Sequence, residues 1–198
     1  MAVRMSDEKR PAARSCLRAD ARRNKSRVLS GARVAFAKHG FAASYHDIAR
    51  AAGVGVGTVY RRYPDRDALV EAVLLGVLSG LTEEAASGME NVDAWVAFER
   101  FFRALADRMH CHAGLSSQAG VRASVKVEEA RGELLEAVAQ LCRRAAPYLR
   151  AGIGWQDVIF LAQLTGADGC SLGVEPTEER RQLAISIILD GVRRNTGS

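Results

Sequence analysis

Cysteine, proline and aromatic residues are all scarce: the chain has 4 cysteines and 4 prolines, and Phe, Trp and Tyr make up 6% of it. Cys16, Cys111, Cys142 and Cys170 stand far apart without a C-x-x-C pair, which argues against a disulfide framework or a structural zinc site and leaves free thiols as the expectation. No run of eighteen apolar residues occurs, and Met1 to Arg14 carries charges with no apolar stretch, so neither a membrane span nor a secretory signal is expected. A cytoplasmic, nucleoid-associated location follows as the expectation. Period-two apolar runs joined by hairpin turns are also missing, which points to an all-α fold. A phosphate loop of Walker type, H-E-x-x-H and G-x-S-x-G are absent, so the expectation is a protein that is not an enzyme and takes no cofactor.

What remains is an ordinary globular composition, 198 residues with 48% hydrophobic and 26% charged. The charge is unevenly placed. Residues 1–70 carry 15 Lys and Arg against 6 Asp and Glu, a net +9, whereas residues 71–198 carry 13 against 17, a net −4, for a total of +5. A basic end on a near-neutral body suggests a polyanion-binding module joined to a different one.

Residues 1–19 are polar and Arg-rich, interrupted by Pro11, and predict a flexible basic arm; Arg10, Arg14, Arg18, Arg22 and Arg23 suit a flanking minor groove. From Asp20 the set Val28, Leu29, Ala32, Ala35 and Phe36 predicts a helix ending at Gly40, which can take the left-handed position. Ser44-Tyr45-His46-Asp47 fits a capping box and starts a two-turn helix that stops at Gly53. A second short helix follows, Val56 to Tyr63, and Pro64 ends it. Two short helices about a glycine turn, the second rich in hydroxyl, phenol and guanidinium groups, predict a helix-turn-helix. Asp65 caps a longer helix over roughly 66–86, and further helices are expected at Trp95 to Met109, around Leu134 to Ala145, Trp155 to Cys170 and Thr177 to Asn195. The pattern between His110 and Ser124 reads as a break.

The stretch from Arg22 to Val73 resembles the DNA-binding domain of TetR-family transcriptional regulators. The segments that carry the resemblance are Phe36-Ala37-Lys38-His39-Gly40-Phe41, Asp47 to Val54, and Gly57-Thr58-Val59-Tyr60-Arg61-Arg62-Tyr63-Pro64-Asp65-Arg66. The resemblance implies a three-helix DNA-binding domain at 20–65 and a helical ligand-binding and dimerisation domain at 66–198. It also implies a homodimeric repressor that leaves a palindromic DNA operator when a small apolar effector binds. Thr58, Tyr60, Arg61 and Arg62 can reach bases or phosphates from the second short helix, and Ser44, Tyr45 and His46 stand beside backbone N–H groups suited to a phosphate. The family pattern puts Tyr63 partly in the packing and Arg66 against the DNA backbone.

Trp95, Phe98, Phe102, Met109, Phe160 and Gln163 are candidates to line the effector site. Ala162, Thr165, Gly166 and Gly169 form a small-residue face, and Leu183, Ala184, Ile187, Ile188, Gly191 and Val192 form an apolar one; together they predict the dimer interface. His110-Cys111-His112 carries ligand atoms for a transition metal, but adjacent helical residues diverge by about 100°, so no metal site is expected. The competing reading is a constitutive architectural DNA-binding protein with no effector.

Overall fold

A computed structural model of the protein describes residues 10–116, 124–166 and 177–194, apart from the side chains of 10–22, Phe41 and 110–116. Among these residues the secondary structure is helical, with one isolated bridge between Leu149 and Arg193. The helices are α1 (Arg10–His39), α2 (Tyr45–Ala52), α3 (Val56–Arg62), α4 (Arg66–Glu90), α5 (Ala94–Ser116), α6 (Val125–Ala145), α7 (Trp155–Leu164) and α8 (Glu178–Val192).

The first correction concerns α1, which begins at Arg10, so residues 10–19 are helical where a flexible arm is predicted. Pro11 sits in the first turn, where its missing N–H costs nothing, and the Ala- and Arg-rich segment after it favours helix. Apolar periodicity begins only at Val28, because residues 23–27 are exposed and face no core. Gly40 (φ 54°) and Gly53 (φ 61°) take the left-handed conformations that end α1 and α2. Ser44 and Asp47 form the full capping box, and Asp65 caps α4 by accepting from the Asp67 N–H.

Two apolar cores result. Val28, Ala32, Phe36, Ile48 and Val59 from the first three helices enclose one of them together with Leu69, Val70 and Val73 of α4. Packing therefore carries the first core beyond the expected boundary at residue 65. Val77, Leu81 and Ala85, further along α4, enter the second core with Phe98, Phe101 and Phe102 of α5 and with apolar residues of α6, α7 and α8. Each of those three phenylalanines is buried to within 1%, and full burial of such a ring stabilises by about 1.5–3 kcal/mol. Arg144 of α6 donates to the Gly88 carbonyl (2.6 Å) and to that of Asn91, satisfying the end of α4, which runs four residues beyond the predicted 86. Similarly, α5 continues as far as Ser116, into the first part of the predicted break, whose residues 117–123 lie outside the described ones.

Candidate nucleic-acid interface

The position of α3 is fixed from its buried side. Val59 is fully buried and Tyr63 nearly so, which leaves Thr58, Arg61 and Arg62 together on one face at i, i+3 and i+4. Both arginines are exposed. Arg61 Nε donates to the Gly57 carbonyl at 3.2 Å, holding its stem along the helix. Tyr60 is 51% exposed and tilts its ring over Tyr45, with centroids 4.6 Å apart. Hydroxyl, phenol and guanidinium groups on a two-turn helix are what phosphate oxygens and base edges in a major groove can accept from.

Tyr45 and Arg66 are placed differently from expectation. Tyr45 is buried, and its hydroxyl donates to the Tyr63 carbonyl at 2.8 Å, so it ties α2 to the end of α3 instead of pointing outward. Burial pushes the phenols of Tyr45 and Tyr63 up, and both remain neutral at physiological pH. Arg66 donates to the Ala43 carbonyl at 2.9 Å and lies over the Phe36 ring at 5.6 Å, latching α4 to α1 and the turn before α2 where a phosphate contact is expected.

Ser44 is exposed, but its hydroxyl donates to Asp47 Oδ2 (2.6 Å) and accepts from the Asp47 N–H (3.2 Å). The Ser44 hydroxyl, and the Ser44 N–H donating to the same Oδ2 at 2.9 Å, hold the Asp47 carboxyl below its usual range. His46 is exposed beside them. Two residues that the sequence reading passes over shape the module. Gly31 lets α1 touch α2, since a Cβ there would stand 2.5 Å from the Ala52 nitrogen. Arg27 donates to the carbonyl of Gly53 and so ties the turn to α1. A glycine inside a predicted helix is the only sequence signal for the first, and a basic run masks the second.

In the body, Trp95, Phe98 and Phe102 are buried, with Trp95 tilted against Phe98 at 5.6 Å and Phe98 stacked on Phe102 at 6.3 Å between centroids, and Met109 is half-buried against the second core. Phe160 and Gln163 are exposed on the outer side of α7, away from that cluster, which corrects their expected grouping with it. The reason is register. Gln156, Phe160, Gln163 and Leu164 share the outer stripe of α7, and Val158, Ala162 and Thr165 share the inner one.

The same register corrects part of the expected interface. Ala162, Thr165 and Gly166 are buried within the subunit, with the Thr165 hydroxyl donating to the Ala162 carbonyl at 2.7 Å, and Val192 is buried as well. Leu183 and Ile187 are each 61% exposed, Gly191 is exposed, and Ala184 and Ile188 are intermediate. Gly169 and the side chains of His110, Cys111 and His112 lie outside the described residues. Among those described, no three His, Cys, Asp or Glu side chains are grouped to hold a metal, and no helix is long and apolar enough to cross a membrane.

Two short helices about a left-handed glycine, the second presenting a cationic face, define a helix-turn-helix module of the DNA-binding kind. Residues 28–73 match the family model for bacterial regulatory proteins of the tetR family, so this module is similar to the one that family shares. A TetR transcription regulatory protein from Mycobacterium vanbaalenii is similar at 28% identity, covering 90% of this chain and 99% of its own, with a TM-score of 0.68. A TetR transcriptional regulator from Streptomyces coelicolor is 24% identical over 86% and 99% of the two chains, TM-score 0.67. The TetR-like regulator LfrR from Mycobacterium smegmatis, in complex with proflavine, is 24% identical over 86% and 96%, TM-score 0.64. Among curated protein sequences none matches the chain.

Proposed function

We propose that the protein is a homodimeric repressor that holds a roughly palindromic operator and leaves it when a small apolar effector binds the body. The observation that carries the reading is the face of α3, where Thr58, Arg61 and Arg62 stand together on a helix anchored by buried Val59. An outer apolar stripe, Phe160 and Leu164 on α7 with Leu183 and Ile187 on α8, supports pairing of two copies. Two copies would set two recognition helices in successive major grooves, about 34–36 Å apart. LfrR, which shares the fold, forms a complex with proflavine, and that supports a body that takes small molecules.

In this reading α4 is the mechanical link, because its two halves lie in different cores. An effector lowers DNA affinity only by as much as it prefers the arrangement in which the two heads no longer match the grooves. In this reading Met109, half-buried against the second core, is a place where an apolar molecule would enter.

The tight burial of Trp95, Phe98 and Phe102 favours the one competing reading, an architectural DNA-binding protein without effector. Selection of duplexes from a random pool separates the two. A repressor enriches one palindrome, and Arg61→Ala and Arg62→Ala weaken its binding with helical content unchanged. Recovery of many unrelated weak sequences would establish the architectural reading, and variants that bind like the parent would remove α3 from the interface.

A further inference from the structure

Between α1 and α3 lies a cleft of about 170 Å³, lined by Asn24, Lys25 and Val28 on one side and by Thr58, Arg61 and Arg62 on the other. It exists because α1 packs on α2 and α4, with Gly31 against Ala52 drawing it toward α2. Beyond Val28 the exposed part of α1 therefore runs past the flank of α3 without filling the space. Buried Val28 forms the floor. The polar lining supplies an ammonium, two guanidinium groups, an amide and a hydroxyl, and no carboxylate. One water occupies about 30 Å³ of liquid, so the cleft admits a tetrahedral oxyanion with part of its hydration.

We propose that this cleft is a phosphate seat in which Lys25 and Asn24 of α1 close on the anion from the side opposite Arg61 and Arg62. The inference rests on the DNA-binding reading and extends it to a helix outside the helix-turn-helix. Three cationic side chains line the one cleft, and an amide and a hydroxyl beside them can donate to oxygens that the cations leave open. In a DNA complex the occupant is a backbone phosphodiester held between α1 and α3. Such a contact fixes register and adds affinity but carries no sequence information. The shared chemistry is a phosphate oxyanion, and inorganic phosphate is the free alternative.

The test uses the full chain and the variants Lys25→Gln and Asn24→Ala, both at exposed positions. Binding to the selected duplex and to an unrelated duplex is measured by fluorescence anisotropy across a salt series. Loss of one phosphate contact lowers the slope of log K against log salt by about 0.9, and the expected result for Lys25→Gln is that decrease, equal on both duplexes. In a second arm the amide resonances of residues 24–28 and 57–62 are followed while inorganic phosphate is added at constant ionic strength. Saturable shifts that Lys25→Gln abolishes, together with an unchanged DNA slope, assign the seat to free phosphate. An unchanged slope with no saturable shift overturns the proposal. In that case Arg61→Ala still weakens duplex binding if the regulator reading holds, so the two failures are distinguishable.

Discussion

The Tyr45 hydroxyl donates a 2.8 Å hydrogen bond to the carbonyl of Tyr63, joining the first turn of α2 to the residue that ends α3. The angle between the two short helices is thus held by a buried bond as well as by the glycine turn. Tyr45→Phe keeps the ring against Tyr60 and removes only the donor, leaving a carbonyl unmet at a cost of about 1–3 kcal/mol. A melting temperature lower by roughly 2–4 °C per kcal/mol lost is expected. Duplex affinity falls with no change in salt slope. A slope reduced by one contact would instead make Tyr45 a phosphate ligand.

Gly31 has no room for a methyl group, since a Cβ would lie 2.5–2.7 Å from backbone and side-chain atoms of Ala52. Gly31→Ala must push α1 off α2, and overpacking of this kind costs about 1–3 kcal/mol. Gly132 in α6 is exposed with nothing within 4 Å of its would-be Cβ. Gly132→Ala is therefore expected to stabilise, by up to about 1 kcal/mol of helix propensity. Denaturant melts of the two variants should move in opposite directions.

The outer stripe of the last two helices predicts where association breaks. Leu183→Glu with Ile187→Glu places charges on the exposed face, and light scattering should then report a monomer with an intact far-ultraviolet helical signal. Gly166, buried inside the subunit, should respond to Gly166→Asp by loss of stability. A dimer that survives the first pair of changes removes α8 from the interface.

Cys142 is buried, and burial pushes its thiol up to about 11. The reactive species is the thiolate, so alkylation at pH 7.5 should leave the Cys142 peptide unmodified in native protein and modify it after denaturation. Peptide mass spectrometry reads this position separately from the other cysteines. Rapid native labelling there would contradict the packing of α6.

Local signals in the sequence are strong where a residue acts on its own backbone. The Ser44–Asp47 box, the left-handed Gly40 and Gly53, and the Asp65 and Thr177 caps are all legible because their chemistry is complete within a few residues. Facing is harder to read. Along α8, Ile185, Leu189 and Val192 are buried while Leu183 and Ile187 are exposed, and both stripes are apolar, so composition alone assigns neither to the interior. On α7, small size suggests that Ala162 and Thr165 meet another subunit, although a core-facing helix needs small residues equally where its neighbours lie close. Tyr45 and Arg66 are misread for a related reason. A polar side chain beside a DNA-facing turn can also find its partner within the protein, and only the arrangement of α2, α3 and α4 decides which occurs.

The unbroken course of α4 through both cores bears on how the protein comes apart. Its 25 residues span about 37 Å at 1.5 Å per residue, with Leu69, Val70 and Val73 walling one core and Val77, Leu81 and Ala85 the other. A fragment cut after Pro64 would carry away a reading head with one wall missing, and the remainder would begin with a bare apolar strip. Autonomy is therefore not a property of either half. Amide exchange along α4 should slow uniformly from Leu69 to Ala85, as expected for one cooperative unit that opens whole.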